Sequence, residues 1–158
     1  MQISILAIGR VKGGRARSAP AQDLCAQYLE RLSLPPLLRE FEERRPLPPP
    51  ERRAKEGALL LGALSPGALV VALDEKGALL SSEDFASKLA QWRDSGVREL
   101  AFLIGGADGL DEAVKARADF TLSLGPLTWP HLLVRALLAE QLFRAESINA
   151  GHPYHRSG

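Results

Sequence analysis

The chain has 158 residues, with 20 basic against 19 acidic side chains and a formal net charge of +1. This length predicts one domain around a single core, and a composition of 46% apolar and 25% charged residues excludes wholesale disorder. No apolar run approaches the roughly 20 residues that span a bilayer, Met1–Arg10 lacks the order of a signal peptide, and one cysteine, Cys25, excludes an internal disulfide or a multi-cysteine zinc site, so the expected compartment is the cytoplasm.

Taken in chain order, Gln2–Ile8 (QISILAI) is an Ile- and Leu-rich run ending at Gly9 and predicts a buried strand. Pro20 opens a helix to about Leu32, with Leu24, Tyr28 and Leu32 on one face, and Pro35-Pro36 stop it. A strand is expected over Leu37–Glu42, followed by a stiff connector, Arg44–Pro50, and a helix over Glu51–Leu64. Ala68–Leu73 (ALVVAL) is continuously apolar, as a strand buried on both faces must be, and Glu75–Gly77 predicts a turn. Ser81 and Asp84 have capping-box spacing, opening a helix to about Ser95 that Gly96 ends. Leu100–Ile104 is a second apolar strand, Asp111 caps a short helix to Arg117, Phe120–Leu124 is a further strand, and Pro130 starts a long helix over His131–Asn149. Strands alternating with helices, the central ones lacking period-2 alternation, predict a single α/β domain over 1–158: a mostly parallel sheet with helices on both faces.

Near-neutral charge argues against holding nucleic acid by bulk electrostatics alone. The basic residues are nevertheless unevenly placed: fifteen of the 20 are Arg, Arg10, Lys12, Arg15 and Arg17 form one acid-free group, and Arg44, Arg45, Arg52, Arg53 and Lys55 flank the proline run. Arginine suits planar phosphate contacts, and an Arg-rich balance equally fits a GC-rich genome.

In open parallel sheets ligands bind beyond the carboxyl ends of the strands. Three such ends carry unusual residues here: Asp74–Gly77, Gly105–Gly109 and Gly125–His131. The glycines let a ligand approach the backbone, or simply make a tight strand-to-helix turn. Neither a GxGxxG nor a Walker pattern is present. The loop Gly125-Pro126-Leu127-Thr128-Trp129-Pro130 is held by two prolines, so its amides and carbonyls are suited to reading the edge of a base or an adenine ring. His131 and Arg135, four residues apart, share one face near a helix N-terminus, a position that favours an anion such as phosphate. The long last helix is apolar nearly all round, which predicts burial on its own sheet and against a partner subunit in a homodimer. The tail His152-Pro153-Tyr154-His155-Arg156 carries two imidazoles, a phenol and a guanidinium without an accompanying carboxylate or thiol. It reads as a docking segment that brings polar groups to a site, and no metal is assigned.

Three of these segments, Leu100–Gly109 (LAFLIGGADG), Asp119–Arg144 (DFTLSLGPLTWPHLLVRALLAEQLFR) and His152–Arg156 (HPYHR), together with Val70–Gly77, Ser81-Ser82-Glu83 and the opening strand, resemble the RlmH family of SPOUT-class RNA methyltransferases. The resemblance covers nearly the whole chain. It implies a fold with a C-terminal trefoil knot, and a homodimer that methylates N3 of a pseudouridine in 23S ribosomal RNA with S-adenosylmethionine as methyl donor. The cofactor positions it implies are Leu73, Gly105, Leu124, Gly125, Pro126, Leu127, Thr128 and Trp129. Those facing the RNA and the methyl acceptor are His155, Tyr154, Arg156, Arg135 and His131, the tail of one subunit completing the site of the other. The chain departs from common family residues at Gly125, Pro126 and Trp129, changes that contacts made by main-chain atoms survive. By residue type, His131 or His155 is suited to accept a proton, Arg156 or Arg135 to stabilise an anion, and Tyr154 to stack on a base or exchange a proton; the identity of the base stays open. Two other classes fit the same composition: a non-catalytic RNA-binding or ribosome-associated module, and a small-molecule enzyme acting on a nucleotide.

Overall fold

The computed structural model describes residues 1–10 and 20–156, so Lys12, Arg15 and Arg17 of the first basic group lie outside the described residues. Five strands, β1 (Gln2–Ile8), β2 (Leu37–Phe41), β3 (Leu69–Leu79), β4 (Glu99–Ile104) and β5 (Phe120–Ser123), alternate with five helices. These are α1 (Pro20–Glu30), α2 (Pro49–Gly62), α3 (Ser82–Asp94), α4 (Glu112–Arg117) and α5 (His131–Asn149). The strands form one sheet in the order β2-β1-β4-β3-β5 with every pairing parallel, so all carboxyl ends lie along one edge.

Successive residues on each strand feed opposite faces. Ile5 and Ala7 of β1, Val71 of β3 and Leu100 and Phe102 of β4 join a core under α1, α3 and α5; Leu6, Ile8, Val70, Ala72 and Leu103 join a second core with Leu60 of α2 and Val114 of α4. The double burial explains why the central strands show no polar alternation. Among the described residues, no helix is long and apolar enough to cross a membrane.

Several boundaries follow from local chemistry. The Ser81 hydroxyl accepts from the Asp84 amide at 3.0 Å, and the Asp111 carboxylate accepts from the Ala113 amide at 3.2 Å, as their capping positions require. Helix α2 begins two residues earlier than the sequence predicts, because Pro49 and Pro50 occupy its first positions, where no amide donor is needed. On α1 the buried stripe is Cys25 and Leu29, continued by Leu32, while Leu24 is exposed, a one-residue rotation of the face predicted from Leu24 and Tyr28.

The predicted turn at Glu75–Gly77 is instead an irregularity inside a longer strand. Leu73 and Ala78 both face Leu122 of β5, so residues 74–77 bulge out and β3 resumes to Leu79. Gly77 permits this: a Cβ there would lie 2.7 Å from the Leu122 carbonyl carbon and 2.8 Å from the Thr121 oxygen. In α5, every residue from His131 to Ile148 is at least partly buried within the single chain, where the helix packs on α1 and α3. Much of its all-round apolar surface is therefore covered without a partner.

Candidate functional site

The carboxyl ends of β3, β4 and β5 open onto a cleft of about 870 Å³. Its floor and walls include Leu73 from β3, Ile104 and Gly105 from the end of β4, Leu122 from β5, and His131 and Val134 from α5. The loop after β5 supplies Leu124, Gly125, Leu127, Thr128 and Trp129. The cleft thus gathers every sequence-predicted cofactor residue except Pro126, which is absent from its lining.

Residues of the β5–α5 loop are held from within. The Ser123 hydroxyl accepts from the Gly125 amide at 3.1 Å and lies 3.0 Å from the Glu75 carbonyl oxygen, tying the loop to the β3 bulge. Gly125 sits at φ +108°, a conformation that favours glycine, and the Trp129 indole N–H reaches back toward the Leu124 carbonyl at 3.4 Å. Among the described residues, the amides of Leu127, Thr128 and Trp129 have no protein acceptor. A rigid loop with open donors beside an apolar floor fits a ligand with an adenine-like polar edge.

Gly105 acts through the turn it starts. A Cβ there would meet the Gly109 carbonyl carbon at 2.8 Å and its oxygen at 2.9 Å, so bulk at this position breaks the Gly105–Gly109 turn and does not project into the cleft. Under the same turn lies a residue missed at the sequence level. Glu56 of α2 is buried, its Oε2 has no partner, and a Cβ on Gly106 would stand 3.3 Å from that oxygen. Burial and the nearby Asp108 charge push its carboxyl above the ordinary range, against the opposing Arg52. The available signal was spacing, since Glu56 and the fully buried Leu60 stand four apart on one helix face.

Charged side chains along the rim mostly pair. Lys115 Nζ contacts Asp74 at 3.1 Å and Glu112 at 3.7 Å, and Arg52 contacts Asp108 at 3.5 Å. Burial would raise the Asp74 carboxyl, but the Lys76 amide and Lys115 outweigh it and hold the group below its usual range.

His131 and Arg135 do share a face, and it is an inward one. Arg135 is 3% exposed; its guanidinium donates to Glu40 at 2.5 Å and to the Ile8 and Gly9 carbonyls at 2.9 and 2.6 Å. Expected to face an RNA or an anion, it instead closes the end of β1 through the Ile8 and Gly9 carbonyls and ties it to β2 through the Glu40 carboxylate. The His131 ring lies against Gly9, where a Cβ would approach its Nε2 to 2.8 Å. Burial and the Arg135 charge push His131 below the ordinary histidine range.

The tail is elsewhere. Tyr154 donates toward Glu140 Oε1 at 3.2 Å and Tyr28 at 3.3 Å, and its ring meets Phe143 edge-on at 4.7 Å. The His155 Nε2 is 2.7 Å from Glu83 and its Nδ1 is 3.2 Å from Arg144, which also pairs with Glu140. Burial, the Tyr28 hydrogen bond and the Glu140 charge push the Tyr154 phenol up to about 12, which makes it a poor proton exchanger where it is docked. Arg156 is exposed. None of these residues lines the cleft of its own chain.

Comparison with known proteins fits this arrangement. A family model described as predicted SPOUT methyltransferase matches residues 1–155. The chain is 59% identical over 156 residues to a ribosomal RNA large subunit methyltransferase H from Paramagnetospirillum magneticum, covering 99% of both chains. A protein of the same name from Rhodospirillum centenum is 54% identical over 144 residues, covering 91% of this chain and 95% of that one. Among solved structures, a probable methylase family protein from Haemophilus influenzae Rd KW20 superposes with a TM-score of 0.57 at 12% identity, over 98% of this chain and 70% of that one, a likeness of fold.

Proposed function

We infer the reaction from one premise: the chain belongs to the SPOUT methyltransferase family, in the branch of the ribosomal RNA large subunit methyltransferases H. It is an S-adenosylmethionine-dependent methyltransferase of large-subunit ribosomal RNA, and in finer detail it acts on N3 of a pseudouridine in 23S rRNA as a homodimer. The observation that carries this reading is the convergence of Leu73, Gly105 and the loop residues Leu124, Gly125, Leu127, Thr128 and Trp129 on one cleft. The trefoil knot implied by the family belongs to the same reading, supported by the Gly105–Gly109 turn and the Leu124–Trp129 loop, which leave the carboxyl ends of β4 and β5 on either side of β3 and line one cleft.

S-adenosylmethionine, when bound, supplies an electrophilic methyl group on a sulfonium. Leu73, Gly105 and the Leu124–Trp129 loop would hold it, largely through main-chain groups. The chain must then align the acceptor, which is worth several kcal/mol of a displacement barrier, and favour loss of the proton from an imide nitrogen that is protonated near neutrality. His131 is the proposed acceptor of that proton within the cleft, because its environment keeps the imidazole neutral. Arg135 is a positioning residue that fixes the first turns of α5 and with them His131.

Tyr154, His155 and Arg156 are proposed to serve the cleft of a second copy. Docked on its own chain, the tail folds back along α5 onto Glu140 and Arg144 and onto Glu83 of α3, and none of Tyr154, His155 and Arg156 lines the cleft of that chain. A tail so placed contributes to catalysis by serving the cleft of a neighbouring subunit, the reading that ties it to the homodimer.

The test is transfer of labelled methyl from S-adenosylmethionine to large-subunit rRNA or ribosomes, with mass mapping of rRNA from cells lacking the protein. Label on one pseudouridine, missing from the deletion strain, is the expected result. RNA binding without transfer would favour a non-catalytic module, and transfer to free nucleosides a small-molecule enzyme.

A further inference from the structure

We propose that Arg53 of α2 is the oxyanion contact of the cleft, forking onto a carboxylate or phosphate group of the bound reactants. The proposal rests on the methyltransferase reading and adds to it a residue outside the strand-end segments that carry the resemblance.

Of all residues on α2, only Arg53 lines the cleft. Its neighbours explain why it stays there. Arg52 ties the helix to Asp108 on the cleft turn at 3.5 Å, and Leu60 is fully buried in the core beneath. Gly57 lies so close to α4 that a Cβ would stand 3.0 Å from Asp111 and 3.1 Å from Val114. Adjacent positions on a helix point about 100° apart, so one arginine braces the turn while the next enters the cleft.

Most of the charges around Arg53 are already matched to one another; Glu75 and Lys76 are the exceptions among the described lining residues. Asp74 and Glu112 pair with Lys115, and Asp108 pairs with Arg52. Among the described residues, Arg53 has no carboxylate within ion-pair distance, and it is half-buried. The cleft lining holds both signs of charge (Asp74, Glu75, Asp108 and Glu112 against Arg53, Lys76 and Lys115), so it is no general cationic funnel. An unpaired, partly desolvated guanidinium in such surroundings acts by directed bidentate bonding. Two oxyanions are available on the proposed reaction: the amino-acid carboxylate of the methyl donor, and a phosphate of the RNA strand at the cleft mouth.

The experiment compares wild type, Arg53→Gln and Arg53→Lys in the full-length protein, with circular dichroism to verify folding. Donor affinity is measured by titration calorimetry with S-adenosylmethionine and with 5′-methylthioadenosine, which lacks the amino-acid carboxylate. The KM for ribosomal subunits is measured across a salt series. Arg53→Gln is expected to lower kcat/KM about tenfold, with Arg53→Lys between it and wild type. If the carboxylate is the ligand, the variant binds S-adenosylmethionine more weakly and 5′-methylthioadenosine unchanged. If a phosphate is the ligand, both affinities hold, the KM for subunits rises, and its logarithmic salt slope falls by about one. An active wild type with a folded Arg53→Gln protein unchanged in all three readouts overturns the role of Arg53 and leaves the methyltransferase reading standing. A wild type that binds donor and RNA but transfers no methyl ends both. Should Arg53→Gln fail to fold, Arg53→Lys decides, since loss of the fork alone must still weaken one of the two interactions.

Discussion

At its N-terminal end α5 borders the cleft, whereas along its second half it packs against the tail cluster, in which Tyr154 and His155 meet Glu140 and Arg144 of α5 and Glu83 of α3. The sequence puts its most conspicuous chemistry in the tail. In the structure Tyr154 and His155 are tied to Glu140, Arg144 and Glu83, whereas at the cleft end the amides of Leu127, Thr128 and Trp129 and the Arg53 guanidinium have no partner among the described residues. A ligand site is marked by unmet hydrogen-bonding capacity more than by density of polar side chains. Tyr154 and His155 can act on a substrate only by exchanging their present partners for others, which is the arrangement a second subunit would offer.

The largest expected effect tests what anchors the cleft end. Arg135→Ala removes a buried cation and strands Glu40 and the Ile8 and Gly9 carbonyls. Breaking one partner of a buried pair costs about 3–5 kcal/mol, read as a lower urea midpoint at unchanged slope. A loss below about 0.5 kcal/mol, the range of an ordinary surface substitution, would mean that α5 is seated by its apolar face alone.

Deleting Gly151–Gly158 breaks the other end. Methyl transfer is expected to fall at least about 100-fold, roughly 2.7 kcal/mol, while S-adenosylmethionine affinity stays within about twofold. The sharper version mixes tail-deleted subunits with subunits carrying Gly105→Val. If one chain's tail serves the other's cleft, mixing restores activity that neither variant has alone; inactivity of the mixture would confine each tail to its own chain.

These contrasts also mark what was legible from residues alone. The bounds of α5 were, because Pro130 precedes it and Gly151, at φ +69°, follows. The place of the loop after β5 on the cleft was, since its backbone is shaped by local proline and glycine. The inward turn of Arg135 was not: four-residue spacing places two side chains on one face without saying which face is inside, and its acceptors are about 95 to 127 residues away. The β3 bulge was missed for a related reason. Glu75-Lys76-Gly77 has local turn chemistry, and only the close approach of β5 at Gly77 makes the strand resume. Glu56 was passed over because a glutamate in a helix defaults to solvent.

A smaller effect is expected at the turn that faces the loop. Gly105→Ala sets a Cβ against the Gly109 backbone at 2.8 Å, and backbone cannot swing aside as a flexible side chain can. The variant should lose about 1–3 kcal/mol of stability and bind S-adenosylmethionine more weakly. Full stability with normal binding would show the turn to be more compliant than its close contacts indicate.

The smallest effect concerns protonation of His131, which separates the two ends by their response to pH. Burial and Arg135 depress its pKa in the folded chain below the unfolded value of about 6.5. The unfolded chain therefore takes up a proton first as the pH falls. The stabilising contribution is complete above about pH 6.5, and it is lost as the pH drops through that value toward the folded pKa. His131→Gln should flatten this limb of the stability curve, and on the proposed mechanism it should also remove the acid limb of kcat/KM without changing the docking of the tail. Denaturant unfolding at pH 5.5 and 7.5 and a pH–rate profile read the two consequences separately. Loss of the stability limb with an unaltered rate profile would leave His131 a structural histidine of the cleft wall and move the search for the proton acceptor to His155 of a second subunit.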